Sequence, residues 1–468
     1  MIRVKNLSVT YPGAEFPVLN GLDLEIGKGE CVTISGPTGC GKSTLGLAMC
    51  GAIPSHVIAR QTGFVQLAGV EISGKPLREI SSTCGFLLQN VEHQIFTDTV
   101  DEEIAFGLEN RGIPAKEIPD RIDRALTMMN AAHLRGRILR TLSAGERQRV
   151  VCASILALEQ MILILDEPLA FLDRKAQHDF GLLIKALALQ DMTILLFEHR
   201  RDLVRGIVSR EMHLDKGILT ENAPSPVEFQ QVTRSTPGNN LCNVDKLRFG
   251  WNGSDLFDDV TFVIREGESI VLLGDNGSGK TTLLSLLMGL HKPVSGSIVI
   301  CGHDTRRTPT ARIAKQVALL FQHPDHQLFA SRVIDELILQ GVDRKIALHE
   351  LEQVDLISRA HHHPRSLSMG QKRRLTVAAA LARKPKLLLL DEPSVGQDDT
   401  SLALVLRRLD AFIHQGGTVF YTTHDERVAR VLGTRTLILE NRNIHAGDND
   451  LALNFFKLDC CHERKVPK

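Results

Sequence analysis

An α/β fold, present twice in one chain, is predicted by three features of the sequence. First, short apolar runs are continuous rather than alternating, as expected of strands buried on both faces of a mostly parallel sheet packed by helices. Cys31 to Ser35, Met161 to Leu165, Ser269 to Leu273 and Leu387 to Leu390 are the clearest. Second, two of these runs lead into a glycine-rich loop and a Leu-rich segment of helical character. The loops are Gly36-Pro37-Thr38-Gly39-Cys40-Gly41-Lys42-Ser43 and Gly274-Asp275-Asn276-Gly277-Ser278-Gly279-Lys280-Thr281. Third, the order of motifs repeats. Lys42 and Lys280 stand 238 residues apart, Gln89 and Gln322 233, and the pairs Ser143/Ser368, Asp166/Asp391 and His199/His424 each 225. The length differences therefore lie upstream, in connecting loops, and a period this long marks a duplicated domain rather than a solenoid.

The 468 residues leave room for two or three full cores, and the repeat points to two. Residues 1–220 form the first unit, from the strand-like Ile2-Arg3-Val4 to a polar turn at Asp215-Lys216-Gly217. Residues 221–240 include Ala223-Pro224-Ser225-Pro226 and Ser235-Thr236-Pro237-Gly238, lack hydrophobic periodicity and read as an exposed connector. The second unit spans 241–448, and 449–468 is a tail. Lys plus Arg and Asp plus Glu number 55 each, so no net basic field argues for a nucleic-acid partner. Nine cysteines at irregular spacing suit a reduced, cytosolic chain better than a disulfide framework. No leader precedes the first strand, and no apolar run approaches the roughly 20 residues that span a bilayer. A protein that is soluble, or peripheral to a membrane, is expected.

Taken in chain order, the motifs of each unit are those of phosphate chemistry. Both glycine-rich loops are P-loops. Gly36, Gly39 and Gly41, like Gly274, Gly277 and Gly279, let successive N–H groups point at phosphate oxygens where a Cβ would block the approach. Lys42 and Lys280 reach the β/γ-phosphates, and Ser43 and Thr281 offer a hydroxyl to Mg²⁺, with Thr44 and Thr282 next in the helix. Leu142-Ser143-Ala144-Gly145-Glu146 and Leu367-Ser368-Met369-Gly370-Gln371 open basic helices. Their serine and glycine form an ordinary N-cap and also present a hydroxyl and bare N–H groups to an anion. Asp166-Glu167-Pro168 and Asp391-Glu392-Pro393 end apolar strands, where carboxylates are costly unless they meet a partner or a metal. Asp166 and Asp391 suit Mg²⁺, and Glu167 and Glu392 suit polarisation of an attacking water. Thirty-three residues past each Asp, another strand ends at His199 or His424, placed to sense a γ-phosphate.

The order P-loop, Gln, Leu-Ser-x-Gly, Asp-Glu, His resembles the ATP-binding cassette (ABC) ATPases, and the resemblance covers both units. It implies two nucleotide-binding domains, each a RecA-like α/β core with an antiparallel β subdomain and a helical subdomain. It also implies head-to-tail pairing of the two, with ATP and Mg²⁺ held between one unit's P-loop and the other's Leu-Ser-x-Gly signature. One site combines Lys42, Ser43, Gln89, Asp166, Glu167 and His199 with Ser368 and Gly370. The other combines Lys280, Thr281, Gln322, Asp391, Glu392 and His424 with Ser143 and Gly145. In this family Gln89 and Gln322 attend both the metal and the water, and an aromatic upstream of the P-loop stacks on adenine. Counting four residues past a leucine gives Tyr11 and Trp251, with Phe249 as competitor. The signatures depart from Leu-Ser-Gly-Gly-Gln at Ala144, Glu146 and Met369, and Glu146 adds a negative charge to the site that uses Ser143.

The segments after each Gln give the partner class. Leu88-Gln89-Asn90-Val91-Glu92-His93-Gln94-Ile95-Phe96 and Phe321-Gln322-His323-Pro324-Asp325-His326-Gln327-Leu328-Phe329 resemble the ATPase components of energy-coupling factor (ECF) importers of vitamins and metal ions. Thr99-Val100-Asp101-Glu102-Glu103-Ile104-Ala105-Phe106-Gly107 continues the likeness in the first unit, and Val333-Ile334-Asp335-Glu336-Leu337 partly does in the second. The resemblance implies a membrane scaffold protein and a small substrate-binding membrane subunit as partners, at the cytoplasmic face of the cell membrane. Phe96, Ile104, Phe106, Phe329 and Leu337 are candidate floor residues for the scaffold's coupling helices, with packing of the helical subdomain as the alternative. Tandem sugar-importer ATPases match these segments less well. Soluble tandem cassettes that act on ribosomes carry a longer, charged, helical linker, and DNA-repair ATPases need a coiled-coil insertion that this sequence lacks. His361-His362-His363 and Cys460-Cys461-His462 lack the spacing of a metal site. Cys40 is a small filler of its loop whose alkylation is expected to block the first site.

Overall fold

The computed structural model describes residues 1–169, 172, 174–221, 227, 229, 231, 237–251, 254–447 and 455. The chain divides into two compact units, Met1–Pro226 and Val227–Lys468. Most of 221–240 and the Cys460-Cys461-His462 tail lie outside the described residues.

Among the described residues each unit holds ten strands in the same arrangement. In the first, β1 (Ile2–Thr10), β2 (Leu19–Ile26), β4 (Arg60–Leu67) and β5 (Val70–Glu71) form an antiparallel sheet in the order β2-β1-β4-β5. The remaining strands are β3 (Cys31–Ser35), β6 (Cys84–Leu87), β7 (Ile162–Asp166), β8 (Thr193–Phe197), β9 (Arg210–Asp215) and β10 (Ile218–Thr220). They make a six-stranded sheet, β10-β9-β3-β8-β7-β6, parallel except for the edge strand β10. All residues of β3, β7 and β8 are buried, which is why their apolar runs are unbroken. β7 starts one residue later than the apolar run suggests, so Asp166 is its last residue.

The second unit repeats this. β11 (Asn240–Trp251), β12 (Ser254–Arg265), β14 (Ser295–Ile300) and β15 (His303–Asp304) form the antiparallel sheet β12-β11-β14-β15. β13 (Ser269–Leu273), β16 (Val317–Leu320), β17 (Leu387–Leu390), β18 (Thr418–Thr422), β19 (Arg435–Glu440) and β20 (Asn443–Gly447) form β20-β19-β13-β18-β17-β16. In each unit the chain leaves the sheet after β6 or β16 to build a helical subdomain. Its helices are Val100–Asn110, Ile118–Met128 and Ala144–Leu156 in the first unit and Val333–Ile338, Arg344–Gln353 and Met369–Ala382 in the second. Two of the candidate floor residues belong to the cores of these subdomains: Ile104 and Leu337 are fully buried. The reason is helical spacing, since Val100, Ile104 and Leu108 share one inward face while Phe106 lies on the other.

Candidate functional site

The carboxyl end of each parallel sheet gathers the residues singled out above. β3 and β13 end at Gly36 and Gly274, where a Cβ would lie 2.2 Å from the Leu214 carbonyl oxygen or 2.7 Å from that of Leu439, so only glycine lets the loop turn here. The loop then curls into the helices Lys42–Met49 and Lys280–Leu287. Lys42 Nζ donates to the carbonyls of Gly36 (2.6 Å) and Pro37 (3.1 Å), and Lys280 Nζ to those of Gly274 (2.7 Å) and Asp275 (3.0 Å). Both ammonium groups are thus arched over their loops.

The next residue joins the loop to the acidic strand. Ser43 Oγ donates to Asp166 Oδ2 at 2.5 Å, and Thr281 Oγ1 to Asp391 Oδ2 at 2.7 Å. Thr422 Oγ1 adds a second donor to Asp391, at 2.7 Å. Glu167 and Glu392 follow with φ of 49° and 47°, a left-handed backbone that turns each carboxylate away from the strand it ends. Gln89 Nε2 donates to Glu167 Oε2 at 2.8 Å, and His199 Nδ1 stands 3.5 Å from Glu167 Oε1. In the second unit the histidine takes over both contacts. His424 donates its amide to Glu392 Oε2 at 3.1 Å, and its Nε2 lies 3.5 Å from Glu392 Oε1 and 3.2 Å from Lys280 Nζ. Gln322 instead accepts at its carbonyl from the buried guanidinium of Arg373.

Ser143 and Ser368 cap the helices Ala144–Leu156 and Met369–Ala382, each hydroxyl accepting the amide three residues on at 3.3 Å. Gly145 and Gly370 are buried in the first turns of those helices. Among the described residues neither serine bonds to the P-loop cluster of its own unit. Glu146 closes a capping box on the Ser143 amide at 2.7 Å and pairs with Arg137 at 3.3 Å. Burial alone raises its carboxyl, but the Ser143 bonds and the charges of Arg137 and Arg149 hold it below the ordinary range. The charge added by departing from the family's Gln is therefore answered locally. Tyr11 reaches the first P-loop helix, its hydroxyl 3.2 Å from Thr44 Oγ1. Trp251 is 48% exposed and stands edge-on to Phe249 and His291, each at 5.0 Å, while Phe249 itself is core. Cys40 is buried, and burial pushes its thiol up. A raised thiol lowers the share of reactive thiolate at neutral pH.

A family model described as ABC transporter matches residues 19–170 and 257–395. The chain belongs to the ABC transporter ATPase family. As an ABC ATPase it binds and hydrolyses ATP, with two cassettes in tandem. It is 32% identical over 95% of its length, and 90% of the relative's, to YkoD of Bacillus subtilis (strain 168), whose provisional name is HMP/thiamine import ATP-binding protein. A Methanosarcina mazei protein named, also provisionally, as an ABC transporter ATP-binding protein is 31% identical over 99% of this chain and 98% of its own. Among solved structures, a chain of ribosome-bound archaeal Pelota and ABCE1 superposes with a TM-score of 0.73 over 96% of this chain and 80% of that one, at 20% identity. The RNase-L inhibitor does so at 0.67 over 96% and 92%, also at 20% identity. Likeness at that distance speaks to the ABC fold alone.

Electrostatics separate the two ABC units. Burial pushes Asp166 up to about 7, and repulsion from Glu167 and Glu198 adds to it against the opposing pull of Ser43 and Lys42. Glu167 is raised by burial too, but His199, Lys42 and Gln89 outweigh that and hold it low. In the second unit burial pushes Glu392 itself up to about 7, against the attraction of Lys280. Folded Asp166 keeps its proton to about pH 7, whereas an unfolded aspartate releases it near ~4, so stability is lost as pH rises through that window. Asp166→Asn removes the titration. Its nucleotide-free form is expected to gain stability over the parent between pH 5 and pH 8, on the order of 2 kcal/mol. Thermal melts at the two pH values check this, and a constant difference would mean that Asp166 carries no such burden.

Two supporting pairs were not singled out by sequence. Gln94 accepts from the Leu88 amide (2.7 Å) and donates to the Phe86 carbonyl (2.8 Å), and Gln327 does the same for Phe321 (3.1 Å) and Leu319 (2.7 Å). The buried Glu103 accepts from the amides of Phe96 and Thr97, both at 3.0 Å, and the buried Glu336 from that of Ala330 at 2.7 Å. Together they staple the loop after each Q residue so that Phe96 and Phe329 point outward. The Gln-x-Phe pattern was visible in both segments; the buried glutamates had no signal beyond their repetition at one spacing.

Proposed function

We propose that this chain energises an ECF-type membrane importer for a vitamin, a vitamin precursor or a metal ion, coupling ATP hydrolysis to movement of a membrane scaffold. One observation carries the importer reading: beside each Q residue a stapled loop holds aromatic side chains out to solvent. Phe96 (69% exposed) and Phe106 (43%) stack at 5.6 Å. Phe329 (82%) borders a groove of about 420 Å³ with Leu290, Phe321, Leu328 and Leu339. Apolar surface held rigidly outward suits a helix of a partner laid into it. The importer name of the Bacillus subtilis relative, which spans nearly the whole chain, points to the same class and to a heterocyclic vitamin precursor as one form of cargo. No helix among the described residues is long and apolar enough to cross a membrane.

Within this reading the cassettes close on two ATP molecules. Ser368 and Gly370 complete the site of Lys42, and Ser143 and Gly145 that of Lys280; support comes from the helix N-termini that these serines cap, which suit an anion. Tyr11 and Trp251 stack on the two adenines. Ser43, Gln89 and Asp166 would hold Mg²⁺ in one site and Thr281, Gln322 and Asp391 in the other, where the ion neutralises charge on the triphosphate. The close hydroxyl–carboxylate pairs are hard oxygen donors beside a second carboxylate, a load a small cation relieves. Glu167 or Glu392 accepts a proton from water as its oxygen bonds the γ-phosphorus and the bond to the β–γ bridging oxygen breaks, leaving that electron pair on ADP. Lys42 and Lys280 hold the phosphates in line, and His199 and His424 contact the γ-phosphate.

A photo-cross-linking residue in place of Phe329, in cells, tests the partner. An adduct with a multi-helix integral membrane protein is expected. An adduct with a ribosomal protein would replace the importer with a translation factor, the role that shares this fold.

A further inference from the structure

The residue before the sheet-edge histidine differs between the units: Glu198 in the first, Thr423 in the second. Glu198 is only 2% exposed. Its Oε1 accepts the Arg200 amide at 3.1 Å and stands 3.6 Å from His199 Nδ1, while its Oε2 is buried without a hydrogen-bond partner. A carboxyl group in that position is costly to the fold. Thr423 is not: its hydroxyl accepts the Asp425 amide at 3.0 Å and makes an ordinary turn. The histidines differ accordingly. His199 has carboxylates against one nitrogen, Nδ1, from Glu167 at 3.5 Å and Glu198 at 3.6 Å. His424 turns the other nitrogen, Nε2, to Glu392 at 3.5 Å and to Lys280 at 3.2 Å.

We propose that Glu198 is a positioning residue for ATP hydrolysis in the first unit, clamping Nδ1 of His199 together with Glu167 and so leaving Nε2 free for the γ-phosphate. The second unit has Thr423 in place of that carboxylate, and its histidine must leave Lys280 and Glu392 before it meets a phosphate. The two sites are therefore inequivalent in how far their histidines are preset. Lys42 from the P-loop, Asp166 at the end of β7, Glu167 just after it, and Arg200 from the following turn all act electrostatically on this pair, so the clamp belongs to the site and not to an isolated surface contact. The inference rests on the assignment of Glu167 and His199 to hydrolysis.

The experiment is single-turnover cleavage of radiolabelled ATP by the full chain carrying Glu392→Gln, so that phosphate release reports the first unit. Glu198→Gln, which keeps the bond from the Arg200 amide, and Glu198→Thr, which installs the second unit's residue, are each expected to slow cleavage about tenfold, the usual scale for groups that orient a site histidine. ATP affinity stays at the parent value, and Glu198→Asp recovers part of the rate. In a His199→Ala background Glu198→Gln slows nothing further, because its effect passes through the ring. Parental rates in both Glu198 variants, an equal slowing without His199, or a loss of ATP affinity would each overturn the proposal. Glu167→Gln is the control: if it leaves cleavage intact, the hydrolytic assignment itself fails and the clamp falls with it.

Discussion

Replacing Glu167 and Glu392 together by glutamine is expected to lower steady-state ATP hydrolysis by about 10²–10⁴-fold, the range for loss of a positioned proton acceptor. ATP binding is expected to persist. The geometry separates these effects. Glutamine matches glutamate in shape, and its amide oxygen still accepts the 2.8 Å bond from Gln89 or the 3.1 Å bond from the His424 amide. The P-loop contacts of Lys42 and Lys280 involve neither glutamate. Hydrolysis assays beside equilibrium nucleotide binding decide it. A double variant that keeps a tenth or more of the activity would mean that the proton goes elsewhere.

The second large effect concerns the exposed aromatics. Phe96→Asp, Phe106→Asp and Phe329→Asp in one chain are expected to abolish ATP-driven uptake and to release the chain from its membrane complex. A buried aromatic anchor is worth about 2 kcal/mol or more at an interface, and every ~1.4 kcal/mol is tenfold in affinity, so three weaken binding by up to about 10⁴-fold. The melting temperature of the free chain should barely move, because these rings lie outside the cores that bury Ile104 and Leu337. Uptake in cells depleted of the parent chain, with a melt of the purified variant, distinguishes lost docking from lost fold. Undiminished uptake would exclude these rings from the interface.

Much of this site is legible in the sequence because its chemistry depends on spacing. Two P-loops after buried strands, acidic pairs at strand ends and histidines thirty-three residues beyond each Asp are read without coordinates, and the sheet brings them to one edge. What hides is set by the backbone and by tertiary neighbours. Nothing in Asp-Glu-Pro announces the left-handed φ of Glu167 and Glu392, and only the folded sheet puts Gln89 on Glu167 but turns His424 onto Glu392. Glu198 looks like any polar residue after a strand until its burial is seen. Ile104 is a different case. The sequence offers it both as a docking floor and as packing of the helical subdomain, and its spacing of four from Val100 and Leu108 decides for packing.

The importer assignment is tested most directly by purifying the tagged chain from detergent-solubilised membranes, identifying what accompanies it and measuring whether its ATPase rate changes. A multi-helix membrane protein with small membrane subunits, at constant ratio to the chain and raising its ATPase rate, is the predicted result, and the ligand of those subunits names the cargo. Recovery with ribosomes, or alone from the soluble fraction, would contradict it.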